Sequence, residues 1–94
     1  MPTYRQNDAK AIVAAQVSEE VFLIVQDIRP ILAGRAPQVQ GAVLAELLSL
    51  WLASHWLPGE KDSTEELRAS LLTTYCALVR KLTEINAKRL GTDT

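Results

Sequence analysis

Ninety-four residues with ten Lys and Arg, eleven Asp and Glu and one His carry a net charge of −1. That length makes one domain with a modest core, for which oligomerisation is a common supplement. The near-neutral balance leaves no overall electrostatic footprint for nucleic acid. The one cysteine, Cys76, rules out an internal disulfide and fits a reducing, cytoplasmic setting.

The chain opens with MPTYRQNDAK, which has no apolar stretch behind a basic start, so no signal peptide is expected. Residues 1–7 read as a loose end. Residues 9–17 are either a separate helix capped by Asp8 or the front of one long helix through Ser18. Ser18, Glu19 and Glu20 look like a cap with acidic first-turn residues, opening a helix over 21–28. Val21, Ile24 or Val25, and Ile28 mark its buried side. The β-branched residues there also suit a strand, but a lone strand has no partner in this chain. Pro30 lacks an amide N–H and disfavours helical geometry at Arg29, so the helix is expected to kink or stop there. A last turn over 31–33 ends at Gly34.

Pro37 suits a first helical position and begins the central helix. Residues 41–57 (GAVLAELLSLWLASHWL) hold twelve apolar residues and only four polar ones: Glu46, Ser49, Ser54 and His55. A helix apolar nearly all round is a buried helix, and a chain this small has little to bury it under. A membrane span needs about 20 apolar residues. This run is shorter, carries Glu46 and His55, and stops at Pro58-Gly59, so burial is the expectation and no membrane contact is foreseen. The helix is expected to end near His55 or Trp56. Its bulky side includes Leu44, Leu47, Leu48 and Trp51. Its small side, Ala42, Ala45, Ser49 and Ala53, faces either water or another backbone.

The C-terminal helix has concordant signals. Ser63 with Glu66 forms a capping box. Leu67, Leu71, Tyr75, Leu78, Leu82 and Ile85 recur at spacings of four and three. Glu65 and Glu66 lie in the expected first turn, and Lys88 and Arg89 in the last, complementing the helix dipole. Glu84 and Lys88 stand in the favourable i,i+4 order. Gly91 is the stop, and residues 92–94 read as a loose end.

Chemistry-bearing residues are sparse. His55 is the one histidine and has no metal-ligand spacing to Cys76, so it reads as a histidine placed at a helix C-terminus on dipole grounds. Cys76 lies mid-helix with no base beside it and reads as a small buried hydrophobe. No catalytic, cofactor or metal residues are named. Arg80, Lys81, Lys88 and Arg89 form the one basic cluster, with Glu84 among them. Trp51 suits the core and Trp56 an interface.

The expectation is an all-α fold: residues 1–94 as a single antiparallel bundle of three to four helices, completed by homodimerisation. Its expected core is Val21, Ile24, Ile28, Leu44, Leu47, Leu48, Trp51, Leu71, Tyr75, Leu78, Leu82 and Ile85. The expected function is a non-enzymatic protein-interaction or regulatory module. Its candidate interface is Ala42, Ala45, Ser49, Ala53 and Trp56, and any protein partner is unnamed. The alternative is a helical regulator touching nucleic acid through the basic cluster. A small-molecule binder or enzyme with a pocket at Trp51, Tyr75 and Cys76 ranks below both, because no convergent polar set accompanies those residues.

Overall fold

The structure is a computed structural model that describes the backbone from Gln6 to Thr94 and the side chains from Val17 onward. Among these residues the chain is all-helical: α1 (Gln6–Leu32), α2 (Pro37–Ala53) and α3 (Lys61–Leu90). Two compact units divide within α2, Met1–Gln40 and Gly41–Thr94.

The first unit is α1, its turn and the start of α2. Residues 9–17 are the front of α1, not a separate helix. Gln6 and Asn7, expected to be loose, are helical; residues 1–5 of that expected loose end lie outside the described residues. Pro30 neither stops nor ends α1, which runs on to Leu32. Pro30 falls in the last turn, where a lost N–H affects a ladder about to end in any case. Two of the carbonyls that the end of α1 leaves open find side-chain donors. Arg35 Nε donates to Ile31 O at 2.9 Å and Gln40 Nε2 to Leu32 O at 2.9 Å. Ala36 O then accepts the first two helical amides of α2, from Val39 and Gln40, both at 3.0 Å. Pro37 accordingly sits at the first helical position.

The second unit is a helical hairpin. Its contacts run in opposite chain directions: Leu57 to Thr64, His55 and Ala53 to Arg68, and Trp51 to Tyr75. The connection contains a tight turn in which Glu60 N–H donates to Leu57 O at 3.1 Å. Pro58 and Gly59 occupy its centre, and Gly59 has φ of 77°. That is the type II pattern, with a fixed φ first and a positive φ second.

α3 starts three residues earlier than its sequence signals indicate, with Glu60 rather than Ser63 at the N-cap. Glu60 occupies the N-cap position without a side-chain capping bond, and Ser63 lies inside the first turn. The Ser63–Glu66 capping box is therefore not formed. Thr64 does the work of holding that end. Its Oγ1 accepts the Leu57 N–H at 3.0 Å and lies 3.3 Å from Leu57 O, to which it donates. At 4% exposure it is the one buried polar side chain among the described residues. The C-terminus follows expectation. Gly91 has φ of 71°, and its N–H donates to Lys88 O while the Thr92 N–H donates to Ala87 O. This is a Schellman motif.

The expected core does not form within the chain. No hydrophobic side chain among the described residues is buried. Leu48 and Leu71 are half-buried. Val21, Ile24, Ile28, Leu44, Leu47, Trp51, Tyr75, Leu78, Leu82 and Ile85 are all exposed. Within the second unit, α2 and α3 cover only one flank of each other's apolar stripe, so those stripes stay half in water. Cys76, expected to be buried, is exposed as well. At 3.6 residues per turn it lies on the side of α3 opposite the stripe containing Leu67 and Leu71.

Candidate interaction surface

α2 ends at Ala53, short of His55 and Trp56, because the carbonyls of its last turn are already satisfied. Leu50 O accepts Ser54 N–H at 3.0 Å, and Leu52 O accepts His55 N–H at 3.1 Å. Trp51 O accepts from Ser54 Oγ and, at 2.8 Å, from His55 Nδ1. Ala53 O accepts from Arg68 Nη2 at 2.9 Å, and Arg68 Nε reaches His55 O at 3.0 Å. All four carbonyls that a helix C-terminus normally leaves open are thus accounted for. α2 has no basic residue in its own last turn; the cation favoured there by the dipole is supplied from α3.

The aromatic residues gather at this end. Trp51 meets His55 with ring centroids 4.8 Å apart and planes at 76°, and meets Tyr75 at 4.9 Å and 78°. Edge-to-face geometry matches the ring quadrupoles. Of the sequence-based pocket residues, the structure joins Trp51 and Tyr75. Cys76, the next residue on the helix, turns away and is exposed. His55 Nδ1 and two Arg68 nitrogens are committed to backbone carbonyls, and these bonds tie the end of α2 to α3. Among the described residues, no three His, Cys, Asp or Glu side chains gather as a metal site would require. No helix of these residues is long and apolar enough to cross a membrane.

The surface of α2 has three sides, where sequence reading distinguished two. Leu48, Leu52 and His55 are half-buried on the α3 side. Ala42, Ala45, Ser49 and Ala53 form a second side about 100° round the helix and are exposed. Ser49 Oγ is turned back onto Glu46 O at 2.8 Å. Trp56 lies beyond the end of α2 and is 67% exposed. The third side is Val39, Val43, Leu47 and Leu50, at spacings of four, four and three. Leu47 and Leu50 are 52% and 59% exposed there. Sequence reading merged this side with the α3-facing one because both are bulky. The i, i+4, i+8, i+11 spacing is the signal that separates them.

The basic cluster does not form one face. Arg80 and Arg89 project about 180° apart on α3, while Lys81 and Lys88, seven residues apart, share a flank. Neither a family model, nor a curated protein, nor a solved structure matches this chain.

Proposed function

We propose that this chain is a non-enzymatic self-association module whose core is assembled between copies. The observation that carries the reading is the burial pattern. Large apolar side chains on all three helices are exposed and none is buried among the described residues. Contiguous apolar surface of that kind marks association sites in soluble proteins.

Magnitudes indicate how much surface takes part. Fully burying a Val, Leu or Ile side chain is worth about 1.5–3 kcal/mol, so one already half-buried gains about 1 kcal/mol. The outer side of α2, covered on two copies, then yields about 8 kcal/mol, which only matches the roughly 4–15 kcal/mol cost of association. A stable assembly therefore recruits the stripes of α1 and α3 as well. Association and core formation become a single event, as in obligate oligomers.

Light scattering coupled to size-exclusion chromatography tests this reading. Dimers or larger species at tens of micromolar are expected, and a clean, cooperatively folded monomer at that concentration contradicts it.

A further inference from the structure

The seams of α1 and α3 carry matching charges when set antiparallel. In α1, Val17, Val21, Ile24, Ile28 and Ile31 follow spacings of four, three, four and three. In α3, Leu71, Tyr75, Leu78, Leu82 and Ile85 do the same. This alternation is the a/d seam of a coiled coil. Apart from half-buried Leu71, all ten residues are exposed. The charged g positions beside the seams are Glu20 and Asp27 on α1, and Lys81 and Lys88 on α3, where Thr74 is a further, uncharged g position. All four charged residues are exposed. The e positions are Ser18, Val25 and Leu32 on α1, and Leu72, Val79 and Asn86 on α3.

Antiparallel helices bring g beside g and e beside e. With Val21 opposite Ile85 and Ile28 opposite Leu78, Glu20 falls beside Lys88 and Asp27 beside Lys81. On the other flank, Val25 meets Val79, Leu32 meets Leu72, and Ser18 meets Asn86. Sliding α1 by one heptad places Asp27 against Thr74 or carries Glu20 past the end of α3. A parallel pairing sets g against e, which puts the lysines beside Val25 and Leu32. The pattern therefore selects one direction and one register. The self-association reading supplies that antiparallel mate from another chain.

We propose that α1 of one copy lies along α3 of a second copy in this register, and that the second copy reciprocates. This rests on the self-association reading above and names the surfaces it uses. A two-fold exchange of this kind is the isologous arrangement most homodimers adopt.

Two charge-reversed chains test it: one carrying Glu20→Lys and Asp27→Lys, the other Lys81→Glu and Lys88→Glu. Sedimentation equilibrium gives the dissociation constants, and circular dichroism checks that both remain helical. Each chain alone should dimerise about 100-fold more weakly than the native chain at low salt, since four exposed pairs turn from attractive to repulsive. The difference should shrink as salt rises. Mixing the two chains should restore tight association, because both seams of the mixed dimer are then matched. A control chain with Glu19→Lys and Glu66→Lys has the same net charge as the first variant, with its changes off both seam flanks. It should dimerise like the native chain and should not pair preferentially with the second variant.

If the native chain dimerises but the reversals leave its affinity unchanged, the pairing is wrong while self-association stands. Rescue only when all four reversals share one chain, and not on mixing, overturns the pairing between copies. A native chain that is monomeric removes both proposals.

Discussion

At the scale of single residues, the hairpin is held by two side chains that the sequence does not single out. Thr64 serves both backbone groups of Leu57 from a buried position. Thr64→Val keeps the shape and removes the acceptor of the Leu57 N–H, while Leu57 O keeps its bond from the Glu60 N–H, so a loss of about 1–3 kcal/mol is expected in urea denaturation, with Thr64→Ser recovering most of it. Arg68 closes the α2 C-terminus through two carbonyls. Arg68→Met preserves much of the aliphatic stem and should cost about 1 kcal/mol or more by thermal unfolding. Gly41 is the reverse case. It lies inside α2 with ordinary helical φ, and a methyl group there would meet no atom within 4 Å beyond the adjacent backbone. Gly41→Ala should therefore stabilise the protein by about 0.5–1 kcal/mol. Destabilisation instead would mean that another chain approaches the helix closely at that point. Gly91 and Pro37 were legible in the sequence because their roles are local and conformational. Thr64 and Arg68 were not, because their partners lie 7 to 15 residues away and a single sequence gives no sign of such tertiary bonds.

At the scale of elements, the three helices follow from periodicity, and the differences lie at their ends. Ser63–Glu66 satisfies the pattern of a capping box, yet the chain begins α3 at Lys61 because the Pro58-Gly59 turn has already aimed Glu60 to accept the Thr64 amide, at 2.9 Å. Likewise α2 stops at Ala53 because Ser54, His55 and Arg68 provide its terminal partners. In both places a specific bond outweighs a propensity of a fraction of a kcal/mol. The candidate surface was legible in part. The small side of α2 was visible as Ala42, Ala45, Ser49 and Ala53. The separate outer stripe at Val39, Val43, Leu47 and Leu50 became distinct only once α3 was seen to take the Leu48–Leu52 side. Leu50, 59% exposed in the single chain, separates the accounts. Under the self-association reading, Leu50→Glu should weaken association at least tenfold while helix content persists. If the outer stripe faces water, the substitution should change nothing in sedimentation.

At the scale of the whole molecule, charge and apolar surface point the same way. The net charge is −1 and the four cations of the basic cluster do not all lie on one face, since Arg80 and Arg89 point to opposite sides of α3, so passage through heparin at low salt without retention is expected. Retention that falls steeply with salt would instead favour nucleic-acid contact. The sequence implied more apolar surface than three amphipathic helices in one chain can cover. The structure locates that surplus on stripes along α1, α2 and α3. It also explains why a core list drawn from periodicity failed as a description of the single chain: periodicity identifies which side of a helix avoids water, not which molecule covers it. The central claim is that a second copy does so. Unfolding followed by circular dichroism across a hundredfold range of protein concentration measures this most directly. If folding and association are one event, the midpoint temperature should rise with concentration while dissociation tracks loss of helix. A sharp transition at a midpoint independent of concentration would contradict the account.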